Sequence, residues 1–296
     1  MSARDLLEAA GLDPNTVLDL LRWAVAEDLA GGVDVTTLAT VPADRMDTGD
    51  LVARADGVVA GLSVAVAVFD TVGGALAGGV RVEVEQRRAD GDRVRRGEVL
   101  ASVTGPTRVL LTAERTALNL LCHLSGVATL TAAWVAAVAG SGATIRDTRK
   151  TLPGLRALQK YAVRQGGGTN HRMSLSGAAL IKDNHVVAAG GVAKAFAAVR
   201  AAHPDLAVQV ECDSLDDVRE AIAAGADLIL LDNMEPADLR EAVGIARPAG
   251  VRTEASGGLT LDRACEVAAT GVDFLAVGAL THSAPALDIA LDLREA

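Results

Sequence analysis

Leu206-Ala207-Val208-Gln209-Val210, the Ala-rich stretch from Asp213 to Ala224, and Leu228-Ile229-Leu230-Leu231 form one full cycle of the pattern that decides the fold. Short β-branched runs flanked by turns fit strands buried on both faces, and the segment between them has helical length and composition. The cycle recurs on both sides. Further strand readings are Ala143 to Ile145, Ala179 to Ile181, Val251 to Glu254 and Phe274 to Val277, alternating with helices at Pro236 to Ala246 and Leu261 to Ala269. Units of roughly 20 to 30 residues are the spacing of βα repeats, and a run of them implies a parallel sheet. A closed barrel is the simplest arrangement, and an open doubly wound sheet is the alternative.

The residues directly after each strand carry the functional signal. Arg149 and Lys150, Lys182, Glu211, Asp232, Ser256-Gly257-Gly258 and Gly278 all come where apolar runs stop. In a βα barrel these positions converge on the C-terminal rim, where such enzymes keep their active sites. Charge is concentrated in the same region. From Arg146 to Lys182 there are eight cationic residues and a single acid, Asp147, within a chain whose net charge is −10. Gathering positive charge against the overall balance suits a strongly anionic ligand.

The 296 residues suffice for a large barrel or two domains with a substantial core. Aromatics make up 2%, so Ala, Val, Leu and Ile must pack the interior. Lysine occurs only at 150, 160, 182 and 194, so two of four lie at strand ends, where a compact ammonium differs from a guanidinium. Cys122, Cys212 and Cys265 are too scattered for a disulfide framework or a metal pair, which fits a reducing cytosol. The opening Met1-Ser2-Ala3-Arg4-Asp5 does not read as a signal peptide, and apolar stretches such as Leu62 to Phe69 fall short of a membrane span.

The first part of the chain reads as an α+β domain from about Met1 to Ala113. Helices are expected at Asp5 to Ala10, Thr16 to Leu29 and Ser63 to Val72, with strands at Leu51 to Ala55 and Val80 to Glu85. Asp90 to Leu100 has a hairpin pattern, and Leu287 to Leu293 alternates with period two, as an edge strand returning to this domain from 286–296 would. The barrel is expected over 114–285.

Several groups suggest particular chemistry. Arg149 offers a planar fork to a carboxylate, and Lys150 a movable point charge to a phosphate. Gly166-Gly167-Gly168 permits close backbone approach, with His171 and Arg172 adding donors. Lys182 follows two apolar residues, so it requires Asp183 or a bound anion. Glu211 and Asp232 at a barrel mouth would suit Mg²⁺ or ribose hydroxyls, with a salt bridge to nearby cations as the competing reading. Ser256-Gly257-Gly258 ends one strand and precedes a helix starting near Thr260, Gly278-Ala279-Leu280-Thr281-His282 ends the next, and free N–H groups at a helix start favour phosphate. His123 reads as packed on a helix and His203 as exposed in a loop.

Asp147 to Gly154, Gly166 to Arg172, Leu180 to His185, Leu231-Asp232-Asn233 and Ser256 to Gly258, in this order, resemble the quinolinate phosphoribosyltransferase family over nearly the whole chain. The resemblance implies an incomplete βα (TIM-like) barrel with an α+β N-terminal domain, acting on quinolinate and phosphoribosyl pyrophosphate with Mg²⁺ and no organic cofactor. It further implies that Arg149, His171, Arg172 and Lys182 hold the two quinolinate carboxylates. Lys150, Glu211 and Asp232 are the implied catalytic residues, the two carboxylates also serving Mg²⁺ with substrate phosphates. Thr148, Ser256, Gly257, Gly258, Gly278, Ala279 and His282 complete the implied substrate contacts. Arg115 matches an arginine donated across a homodimer interface, with a higher oligomer also compatible; by residue type alone it is an exposed helix-start residue paired with Glu114. Rival readings are a related pyrophosphorylase for another acid, or a Schiff-base lysine at 150 or 182. A nucleic-acid partner is not expected, because aromatics are scarce, the chain is acidic overall and the basic residues are divided among separate loops, and a membrane partner is not expected because the apolar stretches are short.

Overall fold

A computed structural model describes residues 2–76 and 82–294. In chain order the elements begin with α1 (Ala3–Ala9), α2 (Pro14–Leu29), α3 (Val35–Thr40), β1 (Met46–Ala53), β2 (Gly57–Val58), α4 (Leu62–Leu76), β3 (Glu83–Gln86), β4 (Arg93–Val94) and β5 (Val99–Pro106). They continue with α5 (Thr107–Ala137), β6 (Thr144–Arg146), α6 (Arg156–Gln165), β7 (Ala179–Ile181), α7 (Asp183–Ala189), α8 (Val192–Ala202), β8 (Val208–Cys212) and α9 (Leu215–Ala224). The last are β9 (Leu228–Asp232), α10 (Pro236–Ala246), β10 (Arg252–Ser256), α11 (Ala264–Ala268), β11 (Phe274–Ala276), α12 (Ala279–His282) and β12 (Ile289–Leu293).

Two compact units result. The first comprises 1–130, 153–167 and 283–296, and the second 131–152 and 168–282. Helix α5 runs unbroken through Ala113 and Glu114, where composition suggests a boundary, and the division falls at Leu130. By length and composition α5 is apolar enough to cross a bilayer. Its residues Leu110, Leu121, Leu124 and Val127 are nevertheless fully buried within the first unit.

In the first unit an antiparallel sheet has the order β12-β1-β5-β3. The C-terminal strand lies at its edge, with Ala290 opposite Val52, as the period-two pattern anticipates. Asp90 ties helices of this unit together. One oxygen accepts the Leu62 N–H at the start of α4 (3.0 Å), and the other accepts the buried Tyr161 hydroxyl of α6 (2.6 Å). The hairpin expected over Asp90 to Leu100 takes another form: β4 pairs with β2, and β5 pairs with β1 and β3. The turn itself is anchored elsewhere, with Gly97 N–H on the Ala53 carbonyl and Arg96 N–H on the Asp56 carboxylate. Of the strand expected over Val80 to Glu85, Val80 and Arg81 lie outside the described residues.

The second unit holds a six-stranded sheet, among the described residues, in the order β6-β11-β10-β9-β8-β7, with every pair parallel. From β7 to β11 successive strands lie side by side in one direction, and β6 joins the far end of the row beside β11, the order of a barrel and not of a doubly wound sheet. The sheet is an incomplete barrel, because β6 and β7 do not pair. Beside β6 stands instead a single bridge from Arg146 to Thr169. Strands extend one or two residues beyond the apolar runs, so Glu211, Asp232 and Ser256 lie within the ladder, with Glu211 opposite Leu230 and Ser256 opposite Asp232. A polar side chain does not interrupt backbone pairing, so hydrophobicity ends before the strand does.

One close approach reverses an ordinary helix rule. Gly126 lies inside α5, where Ala is normally favoured by about 1 kcal/mol. A Cβ at that position would stand 2.1 Å from the Pro285 carbonyl oxygen, a backbone atom that cannot rotate away. Gly126→Ala should therefore destabilise the protein by roughly 1–3 kcal/mol, read as a lower urea midpoint. Gly74→Ala in α4, where a Cβ meets nothing within 4 Å, should leave the midpoint unchanged or raise it.

Candidate active site

The C-terminal ends of the parallel strands enclose a cavity of about 320 Å³. It is lined by Thr148, Arg149 and Lys150 after β6, His171 and Arg172 before β7, Lys182 after β7, Glu211 of β8, Asp232 of β9 and Ser256 of β10. Residues far apart in the chain thus meet on one face.

The cationic side chains differ in how they are held. The Nε–H of Arg149 is buried and has no acceptor among the described residues, a state that costs about 1–3 kcal/mol unless a ligand supplies one. Arg172 donates to the Ala178 carbonyl at 2.7 Å, and burial together with the charge of Arg149 pulls its guanidinium below the ordinary value. Two guanidinium groups crowded into a partly desolvated site are a standing demand for anionic charge. Lys150 is exposed, and its main chain is fixed at both ends: its N–H donates to Thr148 Oγ1 at 3.0 Å, and its carbonyl accepts Thr281 Oγ1 at 2.8 Å. A Cβ on Gly278 would meet Lys150 Cδ at 3.0 Å and His282 Nε2 at 3.2 Å, so a bare backbone at 278 leaves room beside the lysine.

Lys182 is bonded to Glu211, not to Asp183. Asp183 faces the start of α7, where its Oδ1 accepts the Asn184 N–H at 2.7 Å. Asp232 accepts Asn233 Nδ2 at 2.7 Å. Nearby Asp213 has a carboxyl raised by burial and by the charges of Asp232, Asp217 and Asp183. Carboxylates repelling one another beside Asp232 favour a cation. No cluster of three or more metal-ligating side chains occurs among the described residues, so a divalent ion here would rely on Glu211 and Asp232 with ligand oxygens, a donor set Mg²⁺ tolerates.

Other anticipated residues lie outside the cavity wall. Gly257 and Gly258 line a neighbouring cleft with Asn233, Met234 and Glu235. Gly257 has φ 84°, and a Cβ there would lie 2.3 Å from Asn233 Oδ1, so the turns after β9 and β10 touch only because this residue lacks a side chain. Ala279 and His282 form α12, directly after Gly278. Arg115 is exposed in the middle of α5, not at a helix start, and it makes no ion pair with Glu114. Arg156, Lys160 and Arg164 of the basic block lie on α6 in the first unit. His123 is largely buried, contacts Gln159 at 2.8 Å, and is held below its ordinary value by burial.

The floor of the cavity, to which Glu254 contributes, is a polar layer that composition did not reveal. Glu254 is fully buried, with Arg146 Nη1 at 2.7 Å, Gln209 Nε2 at 3.1 Å and His171 Nε2 at 3.4 Å. Burial pushes its carboxyl up, yet the hydrogen bond of His171 and the charge and hydrogen bond of Arg146 hold it below the ordinary value. Asp147 is also fully buried, accepting the His171 N–H at 2.8 Å and the Asn170 amide. The signals were slight: Gln209 stands between two valines, and Asp147 is the lone acid of the basic block.

Comparisons with known proteins match both parts of the chain. The family model for the quinolinate phosphoribosyl transferase C-terminal domain matches residues 127–292, and that for the N-terminal domain matches 34–125. The chain is 55% identical over 278 residues to the nicotinate-nucleotide pyrophosphorylase [carboxylating] of Mycobacterium leprae (strain TN), covering 93% of this chain and 96% of that one. It is 39% identical over 287 residues to the human protein of that name, covering 95% and 93% respectively. The solved structure of NadC from Streptococcus pyogenes superposes with a TM-score of 0.89 at 39% identity, covering 96% of this chain and 98% of that one. Matched across both domains and most of its length, the chain belongs to the quinolinate phosphoribosyl transferase family.

Proposed function

We propose that this chain transfers the phosphoribosyl group of phosphoribosyl pyrophosphate to quinolinate with loss of CO₂, giving nicotinate mononucleotide and pyrophosphate for NAD synthesis. The observation that carries the reading is the buried Arg149 Nε–H without an acceptor, in a cavity where Arg149 and Arg172 also repel each other. A planar diacid supplies both the acceptor and the neutralising charge.

Arg149, Arg172 and Lys182 hold the two carboxylates. Lys182 starts from an ion pair with Glu211, so engaging a substrate carboxylate draws the ammonium away and releases Glu211 toward the sugar. Lys150, with a fixed main chain and an exposed amine, reaches the pyrophosphate. Thr148, Ser256, Gly257, Gly258, Gly278, Ala279 and His282 border the phosphate path. Mg²⁺, held by Glu211 and Asp232 together with substrate oxygens, would neutralise the leaving group. When pyrophosphate departs with the C1–O bonding pair, Glu211 and Asp232 face the positive sugar. The ring nitrogen attacks C1. The resulting pyridinium accepts the electron pair left as the C2 carboxylate departs as CO₂, and C2 then takes a proton.

A homodimer is part of this reading. The Arg115 side chain, exposed on α5, makes no hydrogen bond or ion pair among the described residues, which suits an arginine offered to a partner's site. A reducing cytoplasm completes the setting, supported by Cys122, Cys212 and Cys265, each a free thiol.

Mg²⁺-dependent release of carboxyl-labelled CO₂ from quinolinate plus phosphoribosyl pyrophosphate tests the activity; release requiring both substrates is expected. Replacing Arg172 by Ala should weaken quinolinate binding by roughly tenfold to a hundredfold, with phosphoribosyl pyrophosphate affinity kept, as titration calorimetry would read. Mixing inactive Arg115→Ala and Lys182→Ala chains should restore part of the activity through hybrid dimers. No recovery despite verified chain exchange would count against the shared site.

A further inference from the structure

The buried layer under the cavity determines which protons its members carry, beginning with Glu254. An ionised carboxylate only accepts hydrogen bonds, so the Gln209 amide must turn its NH₂ toward Glu254 Oε1 at 3.1 Å. The carbonyl oxygen of Gln209 then faces His171 Nε2 at 2.8 Å, and that nitrogen must donate. A second, independent constraint acts on the other ring nitrogen. The backbone N–H of Arg172 points at His171 Nδ1 at 2.8 Å, which therefore accepts. Both constraints select the same neutral Nε2–H tautomer.

We propose that Gln209 and Glu254 are positioning residues that lock His171 in this tautomer, so that His171 fixes the main chain of Arg172 and does not itself bind substrate. The inference rests on the diacid reading of the cavity, and it differs from the carboxylate-holding role that the resemblance implies for His171. Both ring nitrogens are engaged by protein groups, and the imidazole is largely buried, with 11% of the side chain exposed. Arg146 completes the device. Its Nη1 lies 2.7 Å from Glu254 Oε2 and its guanidinium stacks 4.1 Å above the Phe274 ring, which keeps the carboxylate ionised and in place. The positive charge that meets the diacid then comes from Arg149, Arg172 and Lys182.

The state of the ring can be read directly by ¹⁵N NMR on the full-length, histidine-labelled enzyme at neutral pH, with His171 assigned by its loss in His171→Asn. Expected is an unprotonated Nδ1 and a protonated Nε2, with the pattern unchanged on adding quinolinate. An imidazolium pattern, the opposite tautomer, or a change of protonation on adding quinolinate would overturn the proposal. This measurement on the unmutated enzyme needs no variant to fold. It also needs no turnover, so absence of CO₂ release would refute the proposed activity while leaving the tautomer assignment to stand or fall by itself.

Kinetics supply the second arm. Asn places an acceptor where Nδ1 lies, whereas Gln mimics Nε2, so His171→Asn should keep the KM for quinolinate within roughly threefold and His171→Gln should raise it by roughly tenfold. The KM for phosphoribosyl pyrophosphate should stay unchanged in both. Equal or reversed losses for quinolinate would overturn the positioning role. Glu254→Gln, judged folded by its thermal transition, should raise the KM for quinolinate and blur the ring pattern; an unchanged pattern would remove Glu254 from the device.

Discussion

Placing the Glu254 carboxylate inside the parallel sheet is the constraint from which the site is built. An ion taken out of water costs several kcal/mol unless its surroundings replace the lost hydration. Strand alternation provides the replacement. Arg146 on β6, Gln209 on β8 and Glu254 on β10 come from alternate strands of one barrel, the arrangement that stacks inward side chains into layers. Here one such layer is ionic and amide where an apolar filling would be usual, and its geometry is passed upward to His171 and then to Arg172.

The cavity above inverts that balance. Below, a carboxylate is met by several donors; above, Arg149 presents a buried Nε–H without an acceptor among the described residues, beside the charge of Arg172. At the rim, Lys182 rests on Glu211. Stability and function thus occupy adjoining layers of the same sheet, and the site is preorganised because its floor cannot rearrange cheaply.

The repeat was legible in the sequence because buried parallel strands and Ala-rich helices carry strong, different periodicities, as at Val208 to Val210 and Leu228 to Leu231. So was the rim, since charge set directly behind one apolar run after another belongs at the mouth of a barrel. Partnerships were not legible. Lys182 has Asp183 beside it in sequence and Glu211 29 residues away, and only the pairing of neighbouring strands brings the latter within reach. Glu254 looked like the end of a strand because its three partners come from other strands and from the segment before β7. The turn at 90–100 has hairpin chemistry, but pairing depends on which edge is available, and β2 offers one to β4. Of the basic block, Arg156, Lys160 and Arg164 are sequence neighbours of the site residues without lining the cavity, because α6 folds into the other unit.

The missing ladder between β6 and β7 has a bearing on how the cavity responds to what it holds. Arg149 and Lys150 hang from one margin of that seam, Lys182 from the other, and Arg172 from the segment whose Thr169 bridges to Arg146. A diacid held by Arg149 and Lys182 together would fasten the two lips of an unclosed cylinder, like a clasp across a split ring. Occupancy would then brace the parallel sheet, the small molecule taking over part of the task that a seventh and eighth strand would perform.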